Sequence, residues 1–260
     1  MAALSRQSVR VAITAEGNAH GASHSAGHVH AAHESTLQQH QRQPKVEAAV
    51  KLSLLSAMDP HRQSVEQFIA DGFAQAYGAN VSHFMPDLLA VSACGEWQAV
   101  LGIRGGQNSQ LFVEQYLDAD ICTVLSEVCV DFQRSDVVEI GNLYAANRQF
   151  TLLLFVVLAY ALHQLGYRQL VCCATTQVQN LLSRHGLVLT QLAAGDPARL
   201  GDAAASWGTY YQTHPQVCRL DLAQAMQLIT SDAKLAALPH QYWPALHATV
   251  TALSLESDHV

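Results

Sequence analysis

Residues 135–174 read SDVVEIGNLYAANRQFTLLLFVVLAYALHQLGYRQLVCCA, and this stretch decides the fold. Ser135–Leu143 is rich in β-branched residues and reads as a strand. Phe150–Leu162 is the longest apolar run in the chain. As a helix it rises only about 20 Å, short of the roughly 30 Å hydrocarbon layer of a bilayer. It therefore reads as a buried helix over 150–165, ended by Gly166. Arg168–Ala174 is a second apolar strand. Strand, helix and strand make one βαβ unit, whose two strands must run parallel.

Working outward, Asp87–Ala93 and Trp97–Ile103 flank Cys94-Gly95-Glu96 and predict an antiparallel hairpin. Upstream of it, Ser64 and Gln67 form an S-x-x-Q capping pattern. Val65, Phe68, Ile69, Phe73, Ala76 and Tyr77 then share one helical face up to Gly78. Residues 111–128 read as a connector and then a helix near 119–128. Downstream, Thr176–His185 predicts a helix, Leu187–Ala193 a strand and Trp207–Tyr211 a further strand. Residues 219–253 predict one or two helices broken at Pro239 and Pro244. The main elements run α-β-β-β-α-β-α-β-β. The fold expected is α/β, a mixed sheet with helices on both faces.

The chain of 260 residues carries a formal charge of -7, and half of it is hydrophobic. That length supports a full core without a staple. The acidic balance argues against nucleic acid as a partner. Residues 1–45 differ in composition and hold six of the fourteen histidines: His20, His24, His28, His30, His33 and His40. They read as a disordered His-rich tail, either metal-scavenging or with incidental histidines. Residues 46–218 read as the globular domain and 219–260 as a helical extension. The six cysteines contain no CxxC pair, which suits reduced thiols in a cytosolic protein. The N-terminal residues lack a secretory h-region. A cytoplasmic protein with no transmembrane segment and no metal site is expected.

Four blocks carry a resemblance: FIADGFAQAYGANVSHFMPDLLAV at 68–91, AVLGIRGGQNSQLFVEQYLDADI at 99–121, VVEIGNLYA at 137–145 and WGTYYQTHPQV at 207–217. Together they resemble the thermostable hemolysin family, which is placed with the GCN5-related N-acyltransferases. A more distant resemblance is to acyl-homoserine lactone synthases, which carry G-x-R on one strand and Glu-x-x-Arg on the next. Here Gly102-Ile103-Arg104 and Glu139-Ile140-Gly141-Asn142 occupy those places. Asn142 replaces the second arginine, so the substrate of those synthases is not implied. The acyltransferase resemblance also implies a cofactor-binding loop between the central strand and its helix. Leu143, Tyr144, Ala145, Asn147, Arg148 and Gln149, with Thr175 across from them, would hold the donor. The usual glycines of that loop are absent. The resemblance then points to a donor held by its pantetheine arm, an acyl carrier protein or a long-chain acyl-CoA, with no tightly bound cofactor.

The residues themselves allow the following chemistry. Arg148 precedes a helix whose first N–H groups are unpaired, a setting for phosphate; it is otherwise a solvated loop residue. Glu139 lies in an apolar strand and must be paired or have a raised pKa. It reads either as a base that takes an amine proton through water or as an ion pair with Arg104. Asn142 could join Glu139 only through a bulge near Gly141, which would also free oxyanion-binding N–H groups. Tyr211 is a candidate acid for the leaving thiolate, or a core tyrosine. Arg104, Glu114, Tyr116 and Asp118 are candidate acceptor-binding groups; the two acids are equally readable as cap or surface residues. The function expected is acyl transfer from a pantetheine thioester to an amino-acid-like amine. The alternatives are direct membrane lysis and a non-catalytic acyl-binding protein.

Overall fold

The computed structural model describes residues 50–107, 110–126, 132–242 and 247. The His-rich tail, Cys129 and Pro244 lie outside the described residues. Among the described residues, seven strands form one sheet in the order β1-β2-β3-β4-β5-β7-β6. They are β1 (Val50–Leu55), β2 (Asp87–Ala93), β3 (Glu96–Gly105), β4 (Val137–Ala145), β5 (Gln169–Ala174), β6 (Thr190–Ala194) and β7 (Gln216–Asp221). Only β4 and β5 run parallel; every other neighbouring pair is antiparallel. The helices are α1 (Arg62–Tyr77), α2 (Ile121–Ser126), α3 (Gln149–Gln164), α4 (Thr176–Ser183), α5 (Leu222–Ser231) and α6 (Ala233–Gln241).

The expected α/β fold with helices on both faces is the observed one. Helix α3 is apolar on nearly all sides, and eleven of its sixteen residues are buried. It sits under the sheet with α4, α5 and α6 packed around it, so no side of it needs to be polar. On the opposite face lie α1, the 3-10 turn Phe112–Tyr116 and α2. Val65, Ile69 and Phe73 make the buried stripe of α1. Gly72 on the same helix leaves room for the Tyr144 ring, which an added methyl group would overlap. Among the described residues no helix is long and apolar enough to cross a membrane.

Several sequence expectations need correction. Trp207–Tyr211 is not a strand. Gly208 and His214 take φ values of 53° and 50°, which turn the chain off any extended path. The segment instead forms 3-10 turns at Pro197–Trp207 and Tyr210–Thr213. Gln216–Asp221, with Val217, Cys218 and Leu220 buried, takes the place in the sheet. Strand β1 is a further strand upstream of the expected elements, and it pairs along its whole length with β2. Helix α1 starts at Arg62, before the Ser64 capping pattern. The Ser64 hydroxyl donates to the His61 carbonyl and accepts from Trp97 Nε1. Pro239 does not break a helix either. It lies inside α6, and the break falls at Asp232, whose carboxylate caps α6 by accepting from the N–H groups of Lys234 and Leu235.

Candidate active site

Strands β4 and β5 are paired over only four residues, from Val137–Gln169 to Ile140–Cys172. Beyond that point β4 continues to Ala145 along β3, while Cys173 and Ala174 of β5 pair with β7. The two parallel strands therefore part. A bulge marks the same place on the other edge of β4. Val100 pairs with Tyr144 and Gly102 with Gly141, so Leu101 faces two residues, Asn142 and Leu143. Asn142 sits there at φ 49°, a left-handed conformation that asparagine tolerates better than most residues.

A cavity of about 1040 Å³ passes through the opening. That is at the upper end of pockets for a single small molecule, roughly 300–1,000 Å³, so it has room for two substrates. Its walls come from both faces of the sheet. On the α3 side they include Ile140, Leu143, Phe155, Val178 and Leu181; on the α1 side they include Phe73, Tyr77, Phe112, Trp207 and Tyr210. The loop after α1 supplies a further wall from Asn80 to Met85. Two clamps hold that loop. Asn142 Oδ1 accepts from the Met85 N–H at 2.8 Å, and Asn142 Nδ2 donates to the His83 carbonyl. The buried Arg62 guanidinium donates to the carbonyls of Leu55, Met85 and Pro86. Met85 itself fills a notch over Gly102 and Gly141, where a Cβ at either glycine would come within 2.5 Å of the Met85 side chain.

Glu139 stands where β4 and β5 begin to part and lines the cavity. It is buried, with 1% of its surface exposed. Oε2 accepts from Phe112 N–H at 2.9 Å and Oε1 from Val113 N–H at 2.8 Å. Arg104 is its cross-strand partner, and Nη1 lies 3.6 Å from Oε2. Burial raises the Glu139 pKa above the ordinary carboxylate value; the two N–H groups and Arg104 only partly offset it. Ion pair and raised pKa, alternatives in the sequence, coexist.

Glu114 is a different acid. Its carboxylate accepts from the N–H groups of Leu111 and Ile121 and pairs with Arg134 at 2.7 Å. Burial opposes its charge, but Arg134 and the two N–H groups outweigh burial and hold its pKa low. It fixes the 111–121 segment and is not a lining residue of the cavity. Asp118 is exposed and pairs with Arg199, also away from the lining. Tyr116 lines the cavity, and its hydroxyl shares a 2.6 Å hydrogen bond with the Tyr211 hydroxyl. Burial pushes the Tyr211 phenol up to about 12 and Tyr116 higher still, so both are neutral. Tyr211 lies behind Tyr116, outside the lining. Tyr210 is the wall residue of the two and donates to the Cys173 carbonyl at 3.2 Å.

Of the residues expected around the donor, Leu143, Tyr144, Ala145, Arg148 and Thr175 line the cavity. Asn147 and Gln149 do not; Asn147 Oδ1 accepts from the Gln149 N–H at the start of α3. Thr175 Oγ1 caps α4 by accepting from the Val178 N–H. Arg148 precedes α3, and Arg184, at the end of α4, joins it in the wall. The aromatic wall and Arg184 were missed in the sequence. Phe73 and Tyr77 at i, i+4 gave a faint signal, while Phe112, Trp207 and Tyr210 come from distant segments.

The family model of thermostable hemolysins matches residues 55–226. The chain belongs to the thermostable hemolysin family. No curated protein matches this family member. Solved structures similar to it include the acyl-homoserine lactone synthase LasI, at 12% identity and a TM-score of 0.48 over 67% of this chain and 91% of that one. Another is the CoA-dependent acyl-homoserine lactone synthase BjaI with SAM and isopentyl-CoA, at 10% identity and 0.47 over 70% and 89%. A third is FeeM, an N-acyl amino acid synthase from uncultured soil microbes, at 14% identity and 0.47 over 73% and 98%.

Proposed function

We propose that this protein transfers an acyl group from a pantetheine thioester, carried on an acyl carrier protein or a long-chain acyl-CoA, to a primary amine. The observation that carries the reading is the opening between β4 and β5, which runs through the sheet past a buried carboxylate. A pantetheine arm is a narrow chain with amide groups, and it suits a slot between two strands whose facing edges are unpaired. Arg148 and Arg184 line the α3 side, where a guanidinium can grip the phosphate of the donor. Leu143, Tyr144, Ala145 and Thr175 would hold the arm.

In the transfer, the amine nitrogen attacks the thioester carbonyl, a C–N bond forms and the C–S bond breaks. The acceptor loses one proton, and the leaving thiolate regains one. Glu139 takes the amine proton, directly or through one water; its raised pKa brings it toward the value a base needs near neutral pH. The bulge at Asn142–Leu143 takes a residue out of the ladder and offers peptide N–H to the carbonyl oxygen. Asn142 holds the loop wall through its amide and acts by position. Tyr116, backed by Tyr211, is the hydroxyl nearest to a role in returning the proton to sulfur.

The test is direct. Purified protein is incubated with acyl-CoA and acyl carrier protein thioesters of increasing length and a mixture of amines. Mass spectrometry then reads the N-acyl product, and a thiol reagent the released pantetheine. An amide product that disappears in Glu139→Gln is expected. Lysis of red cells by protein that has met no thioester, with no amide formed, would favour direct membrane action.

A further inference from the structure

The two sides of the cavity differ in chemistry. The α3 side is built mainly of aliphatic side chains and carries Arg148 and Arg184. The α1 side is a box of rings. Phe73 lies 5.7 Å from Tyr77 and 6.2 Å from Trp207, centroid to centroid; Tyr77 lies 5.3 Å from Tyr210; Trp207 lies 5.4 Å from Tyr210 and 5.8 Å from Phe112. These are spacings at which aromatic rings attract edge-to-face or offset. Phe112 ties the box to the site, because its own N–H holds Glu139. On this side the lining includes the guanidinium of Arg104 and the carboxyl group of Glu139, with the imidazole of His83 on the loop.

We infer that the α1-side chamber holds the acceptor, and that the acceptor is an aromatic α-amino acid, with its carboxylate on Arg104, its amine toward Glu139 and its ring among Phe73, Tyr77, Phe112, Trp207 and Tyr210. The inference rests on the acyl-transfer reading above and gives that site its substrate class. Three constraints converge on it. The amine must come within reach of Glu139, so the rest of the acceptor occupies what surrounds Glu139. Arg104 has one charge partner among the described residues, Glu139 at 3.6 Å, and its planar fork can take a second carboxylate. A charged acceptor side chain would find no counter-charge among the rings and is rejected by desolvation. A flat ring gains both burial and ring–ring geometry there. The donor's acyl chain then lies along the aliphatic α3 side.

The full-length protein with dodecanoyl-CoA is assayed against L-phenylalanine, L-tyrosine, L-tryptophan, L-alanine, L-lysine, L-glutamate and phenethylamine. Acylation of the three aromatic amino acids should exceed that of alanine, lysine and glutamate by about 10–100-fold in kcat/KM. Arg104→Gln should raise KM for L-phenylalanine at least about tenfold more than it raises KM for phenethylamine, which has no carboxylate, while the loss of the ion pair with Glu139 should act on both amines alike. Arg104→Lys should restore part of the loss. Trp207→Leu should weaken the preference for rings without altering the preferred acyl length. Calorimetric titration of L-phenylalanine into the protein without thioester measures the chamber independently of turnover. Binding that Arg104→Gln weakens, with no acylation of any amine, would keep the chamber and overturn the transfer reading. Acylation that is indifferent to side chain and carboxylate would overturn the chamber and keep the transfer reading. A Trp207→Leu variant that changes the preferred acyl length would assign the box to the acyl chain and overturn the inference.

Discussion

The lower and upper halves of the β4–β5 pair are built from the same two strands and do opposite things. Below Ile140 the strands are zipped, and Val137, Val138, Leu170 and Val171 are buried to within 1%. Above it they part, and the side chains of β4 are half exposed. Hydrophobicity alone does not separate the halves, since Leu143 and Ala145 are as apolar as the residues below. The difference arises from partners. A bulge at Asn142–Leu143 shifts β4 against β3, and β5 stays paired with β7 along its whole length, so it keeps a neighbour where β4 leaves it. Met85, seated over Gly102 and Gly141 and tied to Asn142, holds the bulge from one side. A sheet can thus be opened at one point without losing its edges, provided each strand keeps one neighbour.

The sharpest way to test this contrast is to change one residue at the junction and one inside the zipped half. Glu139→Gln, at the junction, should lower amide formation by about 10²–10⁴-fold while the protein still unfolds in a single transition by circular dichroism. Leu170→Ala, in the zipped half, should do the reverse. It should cost about 2–5 kcal/mol in urea denaturation and leave turnover per folded molecule unchanged. Gly102→Val bears on the notch that supports the bulge. Its side chain would collide with Cβ and Cγ of Met85, at a cost of about 1–3 kcal/mol. The displaced loop should also raise KM.

The smallest effects come from the two acids that hold the 111–121 segment through its backbone N–H groups, Glu114 and Glu139, and their signs differ. Glu114 has a lowered pKa in the folded state. It contributes stability above the ordinary carboxylate value of about 4.3, and that contribution is lost as pH falls through the lowered value. Glu114→Gln should therefore flatten the acid limb of a stability–pH curve. Glu139 has a raised pKa. The folded state binds its proton more tightly than the unfolded chain does, so stability falls as pH rises from the ordinary carboxylate value through the raised one. Glu139→Gln should remove that opposite slope. For the wild type, kcat/KM should rise with pH through the same raised value and then level off.

Part of this molecule is local, and that part could be read from residues in order. The β-branched run before Leu143, the apolar helix after Arg148 and the apolar strand after Gly166 each carry their own period or punctuation. The hairpin over 87–103 does too. Glu139 was legible for a physical reason, because an acid in an apolar strand has to be accounted for. Asn142 was legible as an oddity, but its work was not. The partners of its amide, Met85 and His83, lie 57 and 59 residues away. WGTYY alternates well enough to pass for a strand, and only Gly208 and His214 in left-handed conformations reveal that it turns.

By itself the sequence determined the βαβ unit, the buried helix beneath it and the presence of one acid that could not be idle, since helix period, strand propensity and the cost of burying charge act over neighbouring residues. Only the tertiary structure decided that the strands part above Ile140, that Glu114 locks a turn while Glu139 faces a cavity, and that five rings from three separate segments meet in one wall of that cavity. Those outcomes depend on which distant backbone groups find each other, and no local pattern encodes such a choice.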